Sequence, residues 1–238
     1  MTETETKLII ALDFDNLSAV EQLCDQLSPS MCRLKIGKEL FTRFGPAVVE
    51  TVQKKGFEVF LDLKFHDIPQ TVAKAVASAA SLGVWMVNVH ALGGARMMTA
   101  ARESLSKFSK APTLIAVTLL TSHDEEDYNQ LGFKDPIALQ VERLARLTHQ
   151  CGLDGVVCSA QEAAAIRKLT SPTFCLVTPG IRPKGSETQD QRRILTPSEA
   201  IQQGSNFLVI GRPVTQATDP AQALAEIDRE IKGLNIDS

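Results

Sequence analysis

Short runs rich in valine, isoleucine and leucine recur about every 30 residues along the chain, and between them lie segments with apolar residues at helical spacing. The runs cover residues 8–13, 31–36, 57–64, 84–90, 113–120, 154–158, 173–178 and 206–210. Helical patterns fit 18–27, 39–55, 70–82, 94–107, 136–151, 160–169, 197–203 and 220–232, several opened by proline or a small polar residue. Strict alternation of strand and helix predicts a parallel sheet. Eight such units in 238 residues match the count and size of a closed (β/α)8 TIM barrel, and no Gly/Ser-rich linker divides the chain. An open, doubly wound sheet is the competing topology. The reading is therefore one α/β domain over 1–238, with 1–6 as a flexible tail. The polar, glycine-containing connection 179–193 is longer than a βα loop needs and reads as a lid.

Composition narrows the partners. Twenty-five basic and 28 acidic side chains leave a net charge of −3, and aromatic residues make up 5% of the chain. A nucleic-acid surface would carry a basic excess or stacking rings, so none is expected. No run reaches the roughly 18 apolar residues needed to span a bilayer. Residues 1–7 are polar and acidic where a signal peptide would be basic and then apolar. The expectation is a cytoplasmic protein with no membrane partner. Cys24, Cys32, Cys151, Cys158 and Cys175 are scattered without CxxC spacing and read as reduced core residues.

In a barrel strand alternate side chains point inward, and the active site lies at the carboxyl ends of the strands. In the run ending Leu61-Asp62-Leu63-Lys64-Phe65, the apolar residues share one face while Asp62 and Lys64 share the other. If the apolar face packs on helices, an acid and a base enter the barrel. Asp13 at the end of the first run and Lys35 in the second follow the same rule, so Asp13, Lys35, Asp62 and Lys64 should converge. A satisfied buried ion network would be the structural alternative. Desolvating four charges is expensive, however, and a hydrophobic set is usually at least as stable, which favours chemistry. Asp67, just before Ile68-Pro69, could instead serve the amino end of the following helix.

The far end of the chain carries a second signal. Thr178-Pro179-Gly180-Ile181-Arg182 and Ile210-Gly211-Arg212-Pro213 follow the seventh and eighth runs. Barrels often bind phosphate with these two loops, where glycine lets backbone N–H groups approach and arginine supplies a bidentate fork. His66 with Asp62, Asp67 and His90 matches no strong metal-ligand spacing, and neighbouring lysines would repel a cation, so no metal is expected. His123 and His149 have no serine or cysteine partner pattern and read as surface residues.

Asp62-Leu63-Lys64-Phe65-His66-Asp67-Ile68-Pro69 resembles the DxKxxDIP signature of the orotidine 5′-phosphate decarboxylase family. DxKxxD is shared with sugar-phosphate decarboxylases and aldolases of the same barrel group. The resemblance extends, in order, through Ala11-Leu12-Asp13, Leu34-Lys35-Ile36-Gly37, Val87-Asn88-Val89-His90-Ala91, Leu120-Thr121-Ser122, Val177-Thr178-Pro179-Gly180-Ile181-Arg182-Pro183, Asp190-Gln191-Arg192-Arg193 and Val209-Ile210-Gly211-Arg212-Pro213. It implies a carboxy-lyase that converts orotidine monophosphate to uridine monophosphate and carbon dioxide without a cofactor. Lys64 would donate the proton to C6, within an alternating array of Lys35, Asp62, Lys64 and Asp67. Asp13 and Lys35 would hold the ribose, and Thr121 or Ser122 the base. Arg182, Gln191, Gly211 and Arg212 would hold the phosphate, making 179–193 a phosphate-binding lid, with Ile68 and Pro179 completing the substrate contacts. Asp67 and Thr71 would reach into a neighbouring subunit's site, making the enzyme a homodimer.

The implied reaction leaves an sp² carbanion at C6 with no π system to take up its charge. Such a barrier calls for stabilisation towards the top of the roughly 8 to 23 kcal/mol that enzymes supply. Fixed cations in a dry site are the available means. Two rivals remain at this stage. One is a Mg²⁺-dependent sugar-phosphate decarboxylase or aldolase of the same barrel group, whose second strand carries a metal-binding acid where this chain has Lys35. The other is a non-catalytic phosphate-binding barrel.

Overall fold

Every apolar run contains a strand: β1 (Leu8–Leu12), β2 (Arg33–Gly37), β3 (Val59–Phe65), β4 (Met86–His90), β5 (Thr113–Val117), β6 (Gly155–Val157), β7 (Cys175–Thr178) and β8 (Phe207–Ile210). These belong to a computed structural model that describes residues 6–183 and 195–233. All eight strands are parallel and pair in sequence order, and β1 pairs with both β2 and β8, so the sheet closes into a barrel. The open doubly wound topology is thereby ruled out. Expectations placed on 1–5 and 184–194, which include most of the anticipated tail and lid and Gln191, lie outside the described residues.

The helices fall where the apolar period put them, with instructive differences. The expected helix over 39–55 is two helices, Lys38–Phe44 and Pro46–Lys54, separated by Gly45 at φ +59°. Glycine takes that left-handed conformation without a Cβ penalty, and proline then starts the second helix with φ already set. Two short helices, Glu125–Gln130 and Arg212–Thr215, sit in segments too brief for a 3.6-residue period to declare itself. The first is closed by a capping box in which Asp124 and Asp127 serve each other's backbone N–H. Among the described residues no helix is long and apolar enough to cross a membrane.

The barrel interior is layered. At the amino-terminal end the Arg33 guanidinium lies 4.0 Å from the centre of the Trp85 ring and 2.7 Å from Glu58, plugging the floor. Above it sits an apolar layer containing Ile9, Phe60, Met86, Ile115, Val177 and Val209. The carboxyl-terminal layer is polar, with Lys35, Asp62 and Asn88 all buried. Outside, Leu61, Leu63 and Phe65 pack towards Phe41, Ala79 and Leu82 of the helical shell, the register that the alternation in β3 predicted. Cys24, Cys32, Cys158 and Cys175 are buried and Cys151 is half-buried. Burial pushes the Cys32 thiol up to about 12, which makes it inert at neutral pH.

Candidate active site

At the carboxyl end of the barrel the strands and their following loops enclose a cleft of about 290 Å³. Its wall holds Asp13, Lys35, Asp62 and Lys64 on the β1–β3 side. The rest of the wall is Thr121 and Ser122 after β5, Pro179 and Arg182 after β7, and Gly211 and Arg212 after β8, which is next to β1. The floor is apolar, built from Ala11, Phe60, Val117, Val157 and Val209. Charged walls over an apolar floor suit a ligand with a planar ring and an anionic tail.

Asp62 is the centre of the charged wall. Its Oδ1 accepts from Lys64 Nζ at 2.7 Å and from Asn88 Nδ2 at 2.7 Å, and its Oδ2 lies 3.4 Å from Lys35 Nζ. Lys35 Nζ is in turn 3.8 Å from Asp13 Oδ1, so three strands contribute to one chain of alternating charge. Burial is the largest influence on the Asp62 carboxyl and pushes its pKa up. The Lys35 and Lys64 ammoniums, with hydrogen bonds from Lys64 and Asn88, outweigh it and hold the carboxyl below its ordinary value. Asp62 is therefore ionised at neutral pH, and each lysine has a fixed counter-charge.

Lys64 has an unusual backbone. Its φ is +53°, and it is the one non-glycine residue with positive φ among those described. For an L-residue this conformation costs roughly 1–2 kcal/mol. The pairing of β3 with β4 slips at the same place, from Leu61↔Val87 to Phe65↔Val89. The Lys64 N–H, displaced from the ladder, donates instead to Asn88 Oδ1 at 2.8 Å. Sequence reasoning placed Lys64 correctly but missed both the irregularity and Asn88. The available signal was a lone amide in the apolar stretch Met86-Val87-Asn88-Val89, at an inward-facing register.

The loops after β7 and β8 bring Arg182 and Arg212 together. Arg182 is buried and donates to the Ile181 carbonyl at 3.0 Å. Burial first, and the Arg212 guanidinium second, push its pKa below the ordinary arginine value. Two guanidiniums held close at the mouth of a cleft form a site for a dianion. Gly211 stands between this end and the carboxylates: a Cβ there would lie 3.5 Å from Asp13 Oδ2.

Not every expected residue enters the cleft. Asp67 and Ile68 line a separate shallow recess with His66, Pro69, Leu92 and Arg96, and Thr71 is exposed on the helix Pro69–Ser81. Asp67 does not cap that helix: its Oδ1 accepts from Ile68 N–H at 2.6 Å, and the N-cap, Ile68, makes no side-chain capping bond. His66 and His90 stack with ring centres 5.4 Å apart. Among the described residues no group of three or more His, Cys, Asp and Glu side chains could hold a metal ion. His149 is exposed, as read, but His123 is half-buried with its Nδ1 enclosed.

Comparisons with known proteins bear on the same arrangement. Residues 6–227 match the family described as Orotidine 5′-phosphate decarboxylase / HUMPS family. The orotidine 5′-phosphate decarboxylase of Salmonella typhimurium is 59% identical over 96% of this chain and 94% of its own length. That of Pectobacterium atrosepticum is 59% identical over 92% and 90%. A crystal structure of orotidine 5′-phosphate decarboxylase from Lactobacillus acidophilus, 36% identical, superposes with a TM-score of 0.83 over 95% of this chain and 99% of that one.

Proposed function

The chain belongs to the orotidine 5′-phosphate decarboxylase / HUMPS family, and from that premise we propose how its charged cleft works. Its reaction is the decarboxylation of orotidine 5′-phosphate to uridine 5′-phosphate, a step of pyrimidine biosynthesis. The bond from C6 to the carboxylate breaks, its electron pair stays on C6, and carbon dioxide departs. The Lys64 ammonium lies beside that carbon, stabilises the developing charge and gives C6 a proton, then regains one from solvent. Asp62 holds the Lys64 ammonium in place, and Lys35 in turn fixes Asp62 from its other oxygen. Asp62, beside the substrate carboxylate, disfavours the bound ground state. The observation that carries this reading is the Lys35–Asp62–Lys64 array, in which the buried Asp62 lies 3.4 Å and 2.7 Å from the two ammoniums.

Arg182, Arg212 and Gly211 hold the phosphate, Asp13 and Lys35 the ribose, and Thr121 or Ser122 the base, with Pro179 beside it. Binding energy from the phosphate is thereby spent at a distant carbon. Two ammoniums flank the central acid, so the array repels a divalent cation where a magnesium-dependent reaction would need to hold one. The array therefore disfavours a metal, and we propose that the reaction also needs no organic cofactor and takes place in the cytoplasm, a compartment in which the five cysteines would stay reduced. Full turnover of purified protein after exhaustive chelation is expected; loss restored by Mg²⁺ would overturn this part.

Lys64→Ala tests the centre of the reading. The variant should fold and bind uridine monophosphate while turning over at least a thousandfold more slowly, and near-native turnover would remove Lys64 from its role. We also propose a homodimer in which Asp67 and Thr71 complete the neighbouring subunit's cleft. Support comes from the exposure of Asp67 and Thr71 outside their own cleft and from Ile68, 66% exposed beside them. Mixing inactive Lys64→Ala with inactive Asp67→Ala subunits should restore one intact site per mixed dimer. No recovery despite demonstrated subunit exchange would refute the shared site.

A further inference from the structure

Asn88 is fully buried, does not line the cleft, and makes its side-chain hydrogen bonds to two residues that do. Its Oδ1 accepts from the Lys64 backbone N–H at 2.8 Å, and its Nδ2 donates to Asp62 Oδ1 at 2.7 Å. That same Asp62 oxygen accepts from Lys64 Nζ at 2.7 Å. The amide thus closes a loop that runs from the Lys64 main chain, through its side chain, to the Asp62 carboxylate and back. Amide orientation is fixed by the chemistry of the partners: rotated by half a turn, it would set NH₂ against an N–H and a carbonyl oxygen against a carboxylate.

The β3–β4 pairing shows why the contact exists. Between the pairs Leu61↔Val87 and Phe65↔Val89, β3 has three residues and β4 has only Asn88. The surplus in β3 turns Lys64 to φ +53° and takes its N–H out of the ladder. A backbone donor so displaced, at the edge of a buried layer, requires a partner, and Asn88 is the residue opposite the gap. The Asn88 side chain has no exposed surface, so the contact is closed to bulk solvent.

We propose that Asn88 is a positioning residue for the decarboxylation, holding Lys64 in its left-handed conformation and fixing Asp62 so that the Lys64 ammonium stays aimed at C6. This rests on the reading that Lys64 protonates C6. Displacement of a reacting group by about 1 Å can cost about a hundredfold in rate. Arg182 and Arg212 follow β7 and β8, whereas Asn88 is on β4 and bonds Lys64 and Asp62. Its loss should therefore lower the rate of the chemical step while leaving affinity for the nucleotide in place.

The experiment measures kcat, KM and the dissociation constant of uridine monophosphate for wild type, Asn88→Ala and Asn88→Ser, with Lys64→Ala alongside. Asn88→Ala should lose 10- to 100-fold in kcat with uridine monophosphate affinity within threefold of wild type. Asn88→Ser, which keeps one hydroxyl for one of the two bonds, should fall between. If Asn88→Ala does not fold, Asn88→Ser is judged by the same split between kcat and affinity. Two results overturn the role: kcat within threefold of wild type, or kcat and nucleotide affinity falling together as in a general loosening. Should Asn88→Ala stay active while Lys64→Ala is inactive, the Asn88 proposal alone fails. Should Lys64→Ala itself turn over normally, the Lys64 reading fails first.

Discussion

Replacing Asp62 with alanine removes the shared counter-charge of two largely buried ammoniums. The relevant distances are 3.4 Å to Lys35 Nζ and 2.7 Å to Lys64 Nζ. At an effective dielectric constant of about 20, those separations correspond to gross attractions of about 5 and about 6 kcal/mol. Most of that is offset in the native protein by the desolvation of the carboxylate. Breaking a buried pair from one side typically costs 3–5 kcal/mol. The lower end applies here, because the Lys64 side chain is 25% exposed and Lys35 keeps Asp13 at 3.8 Å. We expect a loss of about 3 kcal/mol at pH 7, which for a chain of this length lowers Tm by roughly 6–12 °C. Equilibrium urea unfolding and calorimetry between pH 3 and pH 7, done on both proteins, provide the assay. The pH dependence carries its own sign. The Asp62 carboxyl in the fold is held below its ordinary value of 3.8, so its stabilisation is fully present above that value and is lost as pH falls through the folded pKa. The gap between wild type and Asp62→Ala should be constant from pH 7 to about pH 5 and shrink below it. An Asp62→Ala protein as stable as wild type at pH 7, or a gap that widens on acidification, would refute the reasoning.

Three further outcomes follow from other parts of the molecule. Arg212→Ala should lower kcat/KM roughly 10- to 100-fold, about the worth of a charge-assisted hydrogen bond, mainly through KM; an unchanged value would take Arg212 out of the phosphate site. Gly155→Ala should lower the unfolding free energy from urea titration by about 3 kcal/mol. A Cβ on Gly155 would stand 2.2 Å from the Cys175 carbonyl oxygen on the adjacent strand, and a cost below about 1 kcal/mol would contradict that contact. Burial, followed by the nearby His66, Lys64, Lys38 and His123, pushes the His90 pKa down to about 4. NMR titration should therefore find His90 neutral down to about pH 5. Stability should fall as pH drops from 6.5 towards 4, where the unfolded chain takes up a proton that the fold refuses, and an NMR midpoint near 6.5 would refute this.

The barrel and the inward direction of Lys35, Asp62 and Lys64 were legible in the residues, because side-chain alternation in a strand is a local property with a period of two. The arginines after the seventh and eighth runs were legible for a similar reason, since glycine and proline mark a loop wherever they occur. The break at Gly45 was also written in the chain, as Gly45-Pro46 inside a helical period, yet a continuous apolar stripe concealed it. Closure of the sheet decided the rest. It set the distances between charges on three different strands, gave β4 one residue against three in β3, and so forced Lys64 into its left-handed turn with Asn88 as partner. It also left Asp67 outside its own cleft, although it lies only three positions after Lys64. Periodicity states which way a side chain points from its own strand. What it meets there depends on stagger between strands and on buried donors finding acceptors, and neither exists until the ring of strands is complete.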